Sequence, residues 1–250
     1  MFYTTKGLVL REVQYRDYDK LLSVLTQNLG LITVKARGVR RKNSPLKGGC
    51  QLLTYSEFTL YERNGYYTVN EVEPLTLFSG IHSNIEWLSL GAYFAQLIEM
   101  VATSDTDDPE LLSLCLNSLY ALESLKKPQA LVKAVFELRL MCMIGFTPML
   151  DGCSCCGAAE ASHFLIQEGK LLCDGCRQTS TAEMEKKLPA GVLCAMRHIT
   201  GCEKQRLFSF TLPQASLQIL GDTTEAFLLV QLGQKVPSLD FYKRIFTISI

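Results

Sequence analysis

Two cysteine pairs constrain this chain more than any other feature. Cys153-x2-Cys156 and Cys173-x2-Cys176 are separated by 16 residues, inside the spacing at which two knuckles close on one zinc ion. Four thiolates so placed complete a tetrahedral shell at about 2.3 Å per Zn–S bond and leave no open position. A closed shell is a staple for a small segment and names no reaction. Gly157 follows the first pair and Gly175 lies inside the second; both suit tight turns that aim backbone amides at sulfur. Cys155 offers a second donor beside Cys156, but a two-residue spacer lets both thiols reach one ion, which favours Cys153 with Cys156. His163, between the pairs, reads as an ordinary loop residue. A redox dithiol would sit at a strand-to-helix turn in a βαβ context, whereas both pairs here lie in Gly-rich sequence. The expectation is one structural zinc on Cys153, Cys156, Cys173 and Cys176.

Ten cysteines in 250 residues, four of them in metal spacing, fit a reducing cytoplasm better than a disulfide scaffold. Cys50, Cys115, Cys142, Cys194 and Cys202 read as small apolar residues, mostly buried. No apolar run approaches the roughly 20 residues that span a bilayer. Met1-Phe-Tyr-Thr-Thr-Lys6 leads into a strand pattern and not into a signal peptide. Net charge is zero, yet residues 1–80 carry 11 Lys/Arg against 7 Asp/Glu, and the remainder 14 against 18. That asymmetry points to a polyanion-binding N-terminal part.

The first 80 residues read as five strands: Gly7–Gln14, Lys20–Thr26, Leu31–Arg37, Leu52–Tyr61 and Tyr66–Val72. Asn28-Leu-Gly30 and Asn64-Gly65 are the turns. Five short strands suit a small barrel, of which the OB-fold is the common nucleic-acid type. Lys35, Arg37, Arg40, Arg41, Lys42 and Lys47 form a basic run, with no acidic residue between Asp19 and Glu57. Cationic loops beside aromatic strands combine phosphate neutralisation with base stacking. Tyr55, Phe58, Tyr61, Tyr66 and Tyr67 are the available rings. Alternation places Tyr55 and Tyr61 on one face and Phe58 on the other, so Phe58 is assigned to the core and Tyr55 and Tyr61 to DNA. The competing reading is a solvated charged loop on a packed barrel.

From about residue 81 the period becomes helical. Trp87, Leu90, Phe94, Leu97 and Val101 predict a helix over 84–102. Asp105-Thr-Asp-Asp-Pro109 supplies a cap and first-turn proline for the next, through about Leu125. Pro128 opens a third, ending near Gly145. Ala182 to about Thr200 (with Pro189-Ala-Gly191 a point of break or restart), Pro213 to about Leu232 (interrupted by Gly221) and Leu239–Phe246 follow. The chain therefore reads as α+β: an OB-fold domain over 1–80, then a helical domain over 81–250 with the zinc segment inserted at about 150–180. An apolar patch flanked by Lys126, Lys127, Lys133 or Arg139 would suit an acidic, hydrophobic peptide tail. His82, His163 and His198 are widely spaced, there is no phosphate-binding Gly-x4-Gly-Lys loop, and Asp107-Asp108 is explained by capping. No catalytic constellation stands out among these residues.

These residues resemble the RecO family of bacterial recombination mediators, across essentially the whole chain. The resemblance rests on Gly7-Leu-Val-Leu10, Asp19-Lys-Leu-Leu22, Ala36-Arg-Gly-Val-Arg-Arg41, Leu53-Thr-Tyr-Ser-Glu-Phe58, Gly145-Phe-Thr-Pro-Met-Leu150 and the cysteine pairs, in that order. It implies an OB-fold, a helical domain and, in many members, an embedded zinc site; Cys155 departs from the pattern. It further implies a non-enzymatic protein of the cytoplasm and nucleoid that binds single- and double-stranded DNA and anneals complementary strands. Its implied partners are RecR, the C-terminal tail of single-strand binding protein and, indirectly, RecA. The alternative is an interaction adaptor whose helical domain and zinc knuckles dock partners while DNA contact is incidental.

Overall fold

Alternating apolar residues build the N-terminal third. The computed structural model describes residues 1–103 and 109–248. Strands β1 (Phe2–Tyr15), β2 (Asp19–Thr26), β3 (Leu31–Ala36), β4 (Tyr55–Arg63) and β5 (Tyr66–Thr76) close into a barrel in the order β1-β2-β3-β5-β4. This is the five-stranded OB-type arrangement. Its interior is filled from all five strands by residues that include Val9, Leu22, Val24, Val34, Phe58, Leu60 and Val69. Phe58, assigned to the core by alternation, is fully buried. The Asn64-Gly65 turn has φ of 54° and 79°, the left-handed pair that matches hairpin twist. β4 starts at Tyr55 and not at Leu52, because Leu53 turns into the left-handed region (φ 57°) and its amide donates to Val9 O at 2.7 Å.

Four joins of the barrel are antiparallel. The fifth, β3 to β5, is parallel and spans only Val34↔Tyr67 and Lys35↔Thr68. Past that short seam the two strands part.

The helices are α1 (Ser79–Ser83), α2 (Ile85–Val101), α3 (Pro109–Glu123), α4 (Gln129–Met143), α5 (Asp174–Arg177), α6 (Ala190–Gly201), α7 (Gln214–Leu232) and α8 (Pro237–Ile248). Asn84 caps α2, its side chain accepting from the amides of Glu86 and Trp87 at 3.0 Å each. The expected cap at Asp105–Asp108 lies outside the described residues. Two compact units result: Met1–Leu125 with Val236–Ile250, and Lys126–Lys235. The first therefore holds α1, α2, α3 and α8 together with the barrel, whereas the sequence reading divided the chain at about residue 80.

In the second unit α4, α6 and α7 pack together. Short strands β6 (Met149–Cys153), β7 (His163–Leu165), β8 (Lys170–Leu172) and β9 (Glu185–Lys187) form a sheet in the order β6-β8-β7-β9. The expected helix from Ala182 is corrected by this sheet: Glu185–Lys187 pairs along β7, and the helix starts only after Pro189. Gly221 does not interrupt α7.

Lys133 on α4 lies 2.6 Å from Glu137 and 2.8 Å from Glu225, and Glu137 is fully buried. Burial alone would lower the Lys133 ammonium pKa; the two carboxylates outweigh it and raise it. Arg139 donates from Nη1 to the carbonyls of Ile199 and Thr200. Lys133 and Arg139 are thus engaged inside this unit, Lys133 buried and Arg139 half-buried. Of the five scattered cysteines only Cys50 and Cys115 are buried; Cys142 and Cys202 are half-buried and Cys194 is exposed. Among the described residues no helix is long and apolar enough to cross a membrane.

Candidate nucleic-acid interface and metal centre

Where β3 and β5 part, a groove of about 840 Å³ opens on the barrel. Leu21, Leu29, Leu31 and Ile32 give it apolar lining, and Tyr15, Tyr66 and Tyr67 bring three aromatic rings. Tyr66 is 79% exposed, and Tyr67 packs edge-on against Tyr3 with centroids 6.1 Å apart. Lys35 and Arg37, two residues apart on one face, supply the cations. Lys35 Nζ stands 4.8 Å from the Tyr15 ring centroid and 3.1 Å from Asp19 Oδ2. Asp19 Oδ1 also accepts from the Gly38 amide at 2.8 Å. That amide first, and Lys35 second, hold the Asp19 carboxyl below its ordinary range. Gly38 takes φ +64°, which lets the chain turn away from β3 at that point.

The six cations read from the sequence are not gathered on one face. Lys35 and Arg37 border the groove. Arg41 shares a shallow neighbouring pocket with Arg37, and its guanidinium lies 5.5 Å from the Tyr18 ring centroid. Arg40 and Lys47 line a separate cleft. Lys42 is exposed on the loop.

Tyr55 and Tyr61 border neither cavity. Tyr61 rests on Phe2, centroids 5.1 Å apart. Tyr55 is half-buried; burial first and the Glu57 charge second push its phenol pKa up. Glu57 pairs directly with Glu73 on one side and Lys6 on the other, and shares a pocket with Glu71. Tyr15 was not singled out from the sequence. Its signal is position: it ends β1 at the turn facing the basic loop, as Tyr66 and Tyr67 begin β5 after Asn64-Gly65.

In the second unit the sulfurs of Cys153, Cys156, Cys173 and Cys176 all lie within 4.8 Å of one another, a group that could hold a metal ion. Cys156 Sγ and Cys173 Sγ are 3.7 Å apart, against about 3.8 Å for the edge of a tetrahedron with 2.3 Å Zn–S bonds. The donor set therefore fits a thiolate-bound zinc. Cys155 is exposed and outside the group. Gly152 (φ +136°) and Gly157 (φ +76°) shape the first knuckle, while Gly175 lies within α5. Amides of Cys156 and Cys173 lower the Cys153 thiol pKa to about 6, and hydrogen bonding with the Cys156 thiol first, then with those of Cys173 and Cys153, raises that of Cys176. The Cys176 amide donates to Cys173 Sγ at 3.4 Å.

His163 is not a loop residue. It lies on β7, nearly buried, with Nε2 2.7 Å from Asp174 Oδ1 and Nδ1 2.9 Å from Glu185 Oε1. Lys187 reaches Asp174 at 3.1 Å, and Arg177 pairs with Glu185. These pairs tie α5, which carries Cys176, to β7 and β9. They orient a ligand-bearing turn in the manner of an outer shell around a metal.

Fold and sites together define a class: a protein joining an OB-type barrel with a cationic, aromatic groove to a helical unit that bears a closed four-thiol cluster. Two family models cover nearly all of it, Recombination protein O N terminal over residues 1–78 and Recombination protein O C terminal over 82–240. The DNA repair protein RecO of Acetivibrio thermocellus is 30% identical over 246 residues, 98% of this chain and 97% of that protein. RecO of Alkaliphilus metalliredigens is 33% identical over 178 residues (70% and 72%), and RecO of Desulfitobacterium hafniense 28% over 247 (97% and 90%). The chain belongs to the RecO family of DNA repair and recombination proteins.

Proposed function

We propose that this RecO-family chain is a non-enzymatic recombination mediator whose barrel holds single-stranded DNA in the groove between β3 and β5. The observation that carries this reading is the convergence there of Tyr15, Tyr66 and Tyr67 with Lys35 and Arg37. Aromatic planes accept any base by stacking, and cations that replace condensed counterions supply affinity. Tyr66 and Tyr15 take the stacking role in place of Tyr55 and Tyr61, and Arg40, Arg41, Lys42 and Lys47 extend the phosphate contacts along the loop. With both strands of a complementary pair held against cationic surface, their mutual repulsion falls and they anneal; duplex DNA binds through the same phosphate contacts. Family membership supports cooperation with RecR, contact with the C-terminal tail of single-strand binding protein, and indirect delivery of RecA. The four cysteines hold one structural zinc.

The test is a titration of the full chain with a single-stranded oligonucleotide across salt. Arg37→Ala and Tyr66→Ala should each weaken binding, Arg37→Ala also flattening the dependence on log salt by about 0.7. Unchanged affinity and slope in both variants would rule the groove out.

A further inference from the structure

A second cavity shares the first unit with the groove. It is a cleft of about 700 Å³ whose polar lining includes Glu12, Gln14, Lys20, Arg40, Lys47 and His82. We propose that this cleft is a second single-strand site, which grips the phosphodiester backbone of another strand while the first lies in the groove. The proposal rests on the reading of the groove as a DNA site.

Three observations carry it. First, the charge is complementary. Lys20, Arg40 and Lys47 face one carboxylate, Glu12, which is already paired with Lys20 at 2.7 Å. Arg40 is anchored by one bond from Nη1 to the Asp17 carbonyl at 3.1 Å, which steadies a five-donor fork at the rim. Second, His82 Nε2 is buried and meets no hydrogen-bond partner among the described residues. An unpaired buried ring nitrogen is unfavourable, and a turn of the ring into the cleft that His82 lines would give Nε2 a phosphate oxygen as partner. Third, the lining has no Tyr, Phe or Trp, and its one ring is the half-buried His82, so the site suits phosphate more than stacked bases. A strand held there is held by its backbone and keeps its bases free to pair.

The topology separates the two sites. Gln14 and Lys20 are directly paired across the β1–β2 hairpin and line the cleft; Tyr15 and Leu21, the next residue on each strand, line the groove. Side chains alternate across a strand, so the cavities occupy opposite faces of one ribbon, and no residue lines both. The basic loop serves both faces: Arg37 on the groove side, Arg40 and Lys47 on the cleft side. The barrel thus presents one strand by its bases and the other by its backbone.

The experiment counts strands. Full-length protein is titrated at low salt with oligothymidylate of about eight nucleotides, within the usual OB-fold site size, and the complexes are resolved by native mass spectrometry. Wild type should take two oligonucleotides, and Arg40→Glu/Lys47→Glu one. In the same variant the annealing rate of longer complementary strands should fall on the order of tenfold, the effect of about two phosphate contacts. The milder Arg40→Ala/Lys47→Ala pair and a thermal melt of each variant separate this loss from misfolding. A reversed variant that melts normally and still takes two strands overturns the cleft site. So does a wild type that takes only one. A wild type that takes none overturns the groove reading as well.

Discussion

Lys35 Nζ and Asp19 Oδ2 lie 3.1 Å apart at the border of the groove, so this cation is partnered before any strand arrives. Its charge is partly spent, and its contribution to binding should be smaller than that of Arg37. In salt titrations Lys35→Ala should flatten the slope by clearly less than the about 0.7 of a free single-strand contact. Asp19→Asn should steepen it. Equal effects of Lys35→Ala and Arg37→Ala would show that the ion pair opens at no cost when DNA binds.

The same carboxylate carries a pH dependence of known sign. Its pKa is lowered in the fold by the Gly38 amide and then Lys35. A lowered acid stabilises above its unfolded value, and that stabilisation is lost as pH falls through the folded value. The anchor of the loop after β3 should therefore weaken only below about pH 4. The protection factor of the Gly38 amide, its exchange rate corrected for the intrinsic pH dependence, should fall there in the wild type, while Asp19→Asn shows no such acid step.

Stacking gives the sharpest contrast between two tyrosines. Tyr66→Ala should cost about 1–3 kcal/mol of single-strand affinity. Tyr61→Ala, on a ring that rests on Phe2 beyond the groove, should cost much less. Fluorescence anisotropy with one labelled strand compares them directly.

Metal removal should act on the second unit alone. Elemental analysis should give one zinc per chain, unchanged in Cys155→Ser and lost in Cys176→Ser. A closed thiolate site contributes its binding energy to folding, so chelation should loosen the turns and short strands of residues 149–187. Amide exchange should report that loss while the barrel amides stay protected.

Glu137 is the most deeply buried charge in the second unit, held by Lys133 and by the Thr224 hydroxyl at 2.8 Å. Lys133→Ala strands that carboxylate and should destabilise by about 3–5 kcal/mol in urea unfolding. Replacing Lys133, Glu137 and Glu225 together by Met, Gln and Gln should cost far less, since no carboxylate then loses its ammonium.

Legibility in the sequence followed the length of each signal. Runs such as Tyr55–Leu60 alternate over several residues and end in Asn64-Gly65, so the barrel could be read directly. The cysteine segment could not be read as a sheet, because β7, β8 and β9 have three residues each, too few to show a period. The four-cysteine group was readable because a chelate spacing is local. The groove was not, because Tyr15, Lys35 and Tyr66 come from three strands and meet only through the β3–β5 seam. His163 escaped for the same reason: its carboxylates, Asp174 and Glu185, lie 11 and 22 residues away.

The first unit resumes at Val236 after the whole of Lys126–Lys235, and α8 packs on α2. During synthesis, the barrel and α1 to α3 emerge early, but the partner of α2 is made only after the second unit. Chains fold from the N-terminus as they are made, so α2 must wait with one face open until the ribosome has finished the second unit. A nascent chain stalled before Val236 would carry a formed barrel on an incomplete support. The order of translation makes completion of α8, beyond the second unit, the step that closes the first unit.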